Sequence, residues 1–197
     1  MVTSIVLSAG ESSRMGNENK LLLPYSDSTV LYTTLSALRH SSSNHILLIT
    51  GKYHAEIVAS IQSLQQEVDI IYNQDYPLGM STSIILGVKN TNPTHGLMIC
   101  LGDMPKLTTD DYNLLINAYI TLVNKSPYLI VAPRYKGKRG NPVIFSPHYR
   151  NQILQNNYPE GCRNIIKENE QNIAYIEMST EHCLIDIDTK EDYLKLI

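Results

Sequence analysis

Four short runs of uninterrupted apolar residues set the plan of this chain: Ile5-Val6-Leu7, Ile46-Leu47-Leu48-Ile49, Leu97-Met98-Ile99-Cys100-Leu101 and Leu129-Ile130-Val131-Ala132. None alternates apolar with polar residues, so each reads as a strand covered on both faces, the signature of a parallel sheet under helices. Between them, apolar residues return at helical spacing. Val30, Leu31, Leu35 and Leu38 predict a helix over 28–40 with Ser28 as N-cap. Ile57, Val58, Ile61 and Leu64 predict a helix over 54–64, and helices are expected at 80–89 and at 109–123. Thr108 with Asp111 three positions on has the spacing of a capping box for the last of these. Further strands are expected at 68–72, 142–145, 173–176 and 184–188. A short helix should follow residue 145, with others near 161–169 and at 190–197, and 136–140 reads as a Lys/Arg/Gly loop. The expectation is an α/β fold, a three-layer α/β/α sandwich with a Rossmann-like, mostly parallel sheet. No repeat, linker or low-complexity block interrupts residues 1–197, so a single domain is expected.

The charge balance narrows the function. Sixteen Lys and Arg against 19 Asp and Glu give a formal charge of −3, without the basic footprint of a nucleic-acid binder. Three cysteines, Cys100, Cys162 and Cys183, contain no CxxC pair, which disfavours a disulfide framework. No apolar stretch reaches the roughly 18 residues of a membrane span, and the first residues resemble no cleavable leader, so a cytoplasmic protein is expected.

The richest segment follows the first strand. It reads Ser8-Ala9-Gly10-Glu11-Ser12-Ser13-Arg14-Met15-Gly16, then Asn19-Lys20. Loops at the carboxyl ends of open α/β sheets are where ligands bind, and small residues let successive amides approach an anion. Arg14 and Lys20 would add two cations suited to phosphate; a solvated turn with two surface cations explains the composition as well. No Gly-Lys-Ser/Thr or GxGxxG follows, so neither a P-loop nor a dinucleotide fingerprint is present. Asp103 closes the third apolar run ahead of Pro105, in a position suited to Mg²⁺ or to opening a turn. Asp186 and Asp188 would share a face of a strand, yet Asp188 could also cap the final helix. The segment 73–83 joins a strand to a helix whose first amides could meet a ligand. The six histidines lack zinc-ligand spacing, and no Gly-x-Ser-x-Gly elbow exists.

Five of these pieces, in this order, resemble the molybdenum cofactor cytidylyltransferase and MobA-like NTP transferase family, within the nucleotide-diphospho-sugar transferase superfamily. They are Leu7 to Gly16 with Lys20-Leu21-Leu22, Gly79-Met80-Ser81-x-Ser83, Leu101-Gly102-Asp103-Met104-Pro105, Arg139-Gly140-Asn141-Pro142-Val143 and Asp186-Ile187-Asp188-Thr189. Ala9 and the Gly-Met-Ser-x-Ser segment resemble the cytidylyl branch. Two positions depart from the family pattern. Ser8 puts a hydroxyl where a small Ala is usual, and Tyr158-Pro159-Glu160-Gly161-Cys162-Arg163 keeps the Gly and Arg of a Gly-Asp-x-Gly-Ala-Arg segment but not its Asp.

The resemblance implies the superfamily fold, with a nucleotide half at about 1–105 and an acceptor half at about 106–197. It implies transfer of CMP from CTP to a phosphate monoester such as molybdopterin, with loss of pyrophosphate. In this reading Leu7, Ser8, Ala9, Gly10, Ser12, Arg14, Met15 and Gly16 bind nucleotide together with Lys20, Gly79, Met80, Ser81 and Ser83. Arg14, Lys20 and Asp103 are catalytic, and Asp103 with Asp188 holds Mg²⁺ or Mn²⁺. Segments 137–142 and 160–163 are expected on the acceptor side. A molybdoenzyme or its chaperone is a further expected partner. Alternatives are a sugar- or polyol-phosphate nucleotidyltransferase, a GTP-using guanylyltransferase, and a nucleotide-binding accessory protein without turnover.

Overall fold

The structure, a computed structural model, describes residues 1–12, 15–16 and 18–197. Its centre is an eight-stranded sheet. Along it lie β10 (Ile173–Glu177), β7 (Ile130–Tyr135), β9 (Val143–Phe145), β6 (Gly96–Leu101), β1 (Val2–Ser8), β4 (His45–Thr50) and β5 (Asp69–Tyr72). The two-residue β8 (Lys138–Arg139) pairs with β7. Pairing is parallel from β6 through β1 and β4 to β5, and again between β10 and β7. Only β8 and β9 run against their neighbours. Their reversal follows from a turn at Lys136-Gly137, both at positive φ, in place of the helical crossover a parallel strand needs. The expected loop at 136–140 is therefore a tight turn followed by the whole of β8.

The apolar runs divide between the faces by the period of two. Val6, Leu48, Met98, Cys100, Val131 and Ile144 meet α1 (Val30–Arg39), α2 (His54–Ser60) and α4 (Thr109–Leu122). Ile5, Leu47, Ile49, Leu97, Ile99 and Phe145 meet α3 (Met80–Lys89), α5 (Arg150–Leu154) and α6 (Arg163–Glu168). These are the three layers of an α/β/α fold. Helix α3 lies so close to β1 that a Cβ on Gly87 would come within 2.5 Å of Ile5 Cγ2.

Three further local expectations differ from the structure. Thr29, not Ser28, caps α1 and accepts from Tyr32 N, because the helix begins at Val30; both residues also belong to a small ladder formed by β2 (Pro24–Tyr25) and β3 (Ser28–Thr29). The helix expected over 54–64 ends at Ser60, and residues 62–64 form a separate 3-10 turn. Residues 184–188 are not a strand. A 3-10 turn, His182–Leu184, leads into extended chain that joins no sheet, and α7 (Lys190–Leu194) closes the described fold.

Tyr112 on α4 is fully buried, and its hydroxyl has no hydrogen-bond partner. A buried hydroxyl left unpaired costs about 1–3 kcal/mol. Tyr112→Phe should thus raise the unfolding free energy by about 1 kcal/mol in urea titrations; a comparable loss would mean the hydroxyl is satisfied in solution.

Candidate active site

Register places three strand ends side by side. Leu7 lies between Ile49 and Leu101, so the chain leaving β1, β4 and β6 emerges at one edge of the sheet. Gly102 N donates to Leu7 O at 3.0 Å and binds the turn after β6 to the last residues of β1. The Ser8 hydroxyl donates to Ile49 O at 2.8 Å, so the side chain that departs from the family pattern is held by β4. The loop then passes Ala9, Gly10 and Ser12 to a 3-10 turn, Lys20–Leu22. Asn19 caps that turn by accepting from Leu21 N at 3.1 Å, and buried Leu21 anchors it in the core.

Anchoring Leu21 aims its neighbour. Lys20 Nζ lies 2.5 Å from Asp103 Oδ2 and 3.1 Å from Asp188 Oδ1. Asp188 reaches this point because Ile187, itself fully buried, donates its N–H to Asp103 O at 3.2 Å. The cap of α7 is Thr189, in a capping box with Asp192, so Asp188 does not cap the helix, nor does it share a strand face with Asp186, since 184–188 is not a strand. Burial opposes the Lys20 charge, but the charges and hydrogen bonds of Asp103 and Asp188 outweigh it and raise its pKa above the usual value. Burial, then the nearby charges of Asp103 and Asp188, raises the carboxyl of Asp186. Three carboxylates thus crowd one lysine, and Asp103 Oδ1 is buried without a hydrogen-bond partner.

These groups open onto a cavity of about 280 Å³. Of the residues the sequence nominated, Leu7, Ser8, Ala9, Gly10, Ser12, Lys20, Gly79, Met80, Ser83 and Asp103 line it. Asp188 adjoins it through Lys20. Met15 and Ser81 are buried and do not line it, and Gly16, which is exposed, does not line it either. Arg14 lies outside the described residues. Glu11, Leu21, Tyr76, Pro77 and Leu101 also line the cavity, and the sequence assigns none of them a role; Tyr76 and Pro77, just ahead of Gly79, carry no chemistry by residue type that would mark them.

The far wall depends on Gly79. It sits at φ 117°, and a Cβ there would meet Pro159 O at 2.8 Å. Met80 N, the first amide of α3, donates to that carbonyl at 2.9 Å, so this amide is satisfied by protein rather than left for a ligand. Buried Asn73 donates to Ser83 Oγ and to Thr82 Oγ1, each at 2.9 Å, and fixes the first turn of α3.

A second cavity of about 280 Å³ shares Met80 and Leu101 with the first. Ile84, Ile99, Val143, Phe145 and Ile166 give it apolar walls, and Arg139, Asn141, Glu160 and Arg163 supply its polar groups. Both expected acceptor segments contribute to it. The Cys162 thiol in its wall is pushed up to about 12 by burial, so it stays protonated at neutral pH. All three cysteines are free and buried. Among the described residues no three His, Cys, Asp or Glu side chains form a metal-binding cluster. None of the helices there is long and apolar enough to cross a membrane.

The model of the MobA-like NTP transferase domain matches residues 4–173. The chain belongs to this family. The family is one of nucleotidyltransferases, and the α/β/α sheet described above is its fold. The chain is 29% identical over 194 residues to the molybdenum cofactor cytidylyltransferase of Escherichia coli K12, covering 98% of this chain and 94% of that protein. It is 23% identical over 198 residues to the nicotine blue oxidoreductase of Paenarthrobacter nicotinovorans, covering 100% and 96%. Among solved structures, it superposes on the manganese complex of Rv0371c from Mycobacterium tuberculosis with a TM-score of 0.76 and 23% identity, covering 99% and 97%. That likeness establishes the fold.

The raised carboxyl of Asp186 has a thermodynamic consequence. The folded state holds this proton more tightly than the unfolded chain, so the charge opposes folding as pH rises above 3.8. Asp186→Asn should stabilise the metal-free protein at pH 7, with the gain shrinking as pH falls towards 3.8. Urea titrations across that range check it; a loss of stability at pH 7 would mean the carboxylate is favourably paired.

Proposed function

We propose that this chain moves CMP from CTP onto a phosphate monoester, a molybdopterin-like acceptor, and releases pyrophosphate. The observation that carries the reading is the meeting of Lys20, Asp103 and Asp188 at the mouth of the cavity behind the β1 loop. A phosphate monoester is already largely dianionic at pH 7, so the attacking oxygen needs no general base. The task left to the protein is positioning two anions and stabilising added negative charge.

In this reading the amides of loop 10–16 take the β- and γ-phosphates, with Lys20, joined by Arg14, on the leaving pyrophosphate. The backbone of Leu7 to Gly10 and the Gly79–Ser83 turn hold ribose and base. Asp103 and Asp188 would hold Mg²⁺ or Mn²⁺. The donor set suits such an ion, because two protein carboxylates leave room for phosphate oxygens and Asp103 Oδ1 is buried without a partner. When bound, the ion neutralises phosphate charge. The acceptor is assigned to the second cavity. Its apolar walls favour a ring system over a polyol, and Arg139 and Arg163 offer charge to the phosphate. The chain is read as one domain, with the nucleotide half at about 1–105 and the acceptor half at about 106–197. A cytoplasmic setting suits its three free thiols.

The cytidylyl choice draws on Ala9, the Gly79–Ser83 segment and the name of the Escherichia coli relative. One assay tests the reading. CTP, GTP, ATP and UTP are compared with molybdopterin and with sugar phosphates, and pyrophosphate is measured for the wild type and for Asp103→Ala. The expected outcome is release with CTP and molybdopterin, lost in the folded variant. A GTP preference would overturn the base assignment, and binding without release from any pair would indicate an accessory protein.

A further inference from the structure

The Lys20 ammonium stands where the proposed reaction requires a different cation. It touches Asp103 Oδ2 at 2.5 Å and Asp188 Oδ1 at 3.1 Å, the two carboxylates read above as holding a divalent ion. Asp103 is only 7% exposed, and its second oxygen, Oδ1, is shielded from solvent with no hydrogen-bond partner. An ammonium and a divalent cation repel and compete for the same oxygens, so full coordination at Asp103 requires Lys20 to move.

The local structure permits that motion in one part of the residue. Its backbone is fixed: Leu21 is buried, Asn19 caps the turn, and Leu23 N donates to Lys20 O. Its charge rides on a flexible four-carbon stem, and Lys20 also lines the cavity assigned to the triphosphate. Phosphate oxygens arriving there would compete with Asp103 for the ammonium.

We propose that Lys20 is a placeholder for the divalent ion: its ammonium blocks metal binding at Asp103 until a triphosphate draws it away, so metal and nucleotide enter together. This rests on the reading of Asp103 and Asp188 as the metal-holding pair. The ion pair thereby has two successive roles. It neutralises the charge of Asp103 in the nucleotide-free protein, and it delivers a cation to the phosphates once they arrive.

The test measures Mn²⁺ bound to protein by water-proton relaxation, first without nucleotide. The wild type should bind Mn²⁺ weakly. Lys20→Gln and Lys20→Met, two neutral variants whose folding is checked by circular dichroism, should bind it at least about tenfold more tightly. Lys20→Arg, which keeps the charge, should behave as the wild type, and adding Asp103→Asn to Lys20→Gln should abolish the gain. The same measurement is then made with CTP present. Neutral variants that bind no more tightly than the wild type, while CTP recruits Mn²⁺ in an Asp103-dependent way, would overturn the placeholder role and leave the metal pair standing. Bound Mn²⁺ indifferent to Asp103→Asn, with or without CTP, would overturn the metal pair itself.

Discussion

The ion pair between Lys20 and Asp103 joins two loops that the sheet alone only brings near each other. Lys20 follows β1 and Asp103 follows β6, and these strands are parallel neighbours. A lysine this enclosed is stable only if its charge is met, and breaking such a pair strands the remaining charge at a cost of several kcal/mol. The contact therefore sets the shape of the cavity mouth as well as its charge. Asp188 joins from the far end of the chain because the buried Ile187 pins its own amide to Asp103 O. Three segments separated by more than 80 residues each thus converge on one lysine nitrogen.

Around that point the chemistry divides in space. The first cavity offers backbone and small side chains on one side and Tyr76, Pro77 and Met80 on the other. The second sets apolar side chains against Asn141, Glu160 and two arginines. Met80 and Leu101 stand between them. Two phosphorylated molecules brought to adjacent cavities would meet near the shared wall, and proximity of this kind supplies much of the rate of a group transfer. The fixed position of Met80, whose amide is held by Pro159, sets the thickness of that wall.

Much of the fold is legible in the sequence because local and global signals agree. Unbroken apolar runs such as Ile46 to Ile49 can be satisfied only between two helical layers, and Thr108 with Asp111 is a capping box in the chain as in the structure. What escapes the sequence depends on partners far along the chain. Leu184 to Asp188 has the composition of a strand, yet Ile187 bonds to a turn carbonyl rather than a ladder. Ser28 and Thr29 both carry capping hydroxyls, and only the start of α1 at Val30, after the β2–β3 ladder, selects Thr29. In the site, Asp103 stands out as a charge that ends an apolar run, but the sequence leaves it open as a metal ligand or as the opening of a turn. The ambiguity of Asp188 is resolved only by seeing Thr189 in the cap. Tyr76 and Pro77 line the cavity through their position ahead of Gly79, which no property of their side chains announces.

The central claim is that a triphosphate and its divalent ion bind at one rim of the sheet, between the β1 loop and Asp103. Crystals grown with CTP and Mn²⁺, with anomalous scattering used to locate the metal, test this most directly. The account predicts a manganese peak coordinated by Asp103 and Asp188, with the triphosphate along loop 8–16 and Lys20 turned towards it. Manganese and nucleotide bound elsewhere, with Lys20 still on Asp103, would contradict it.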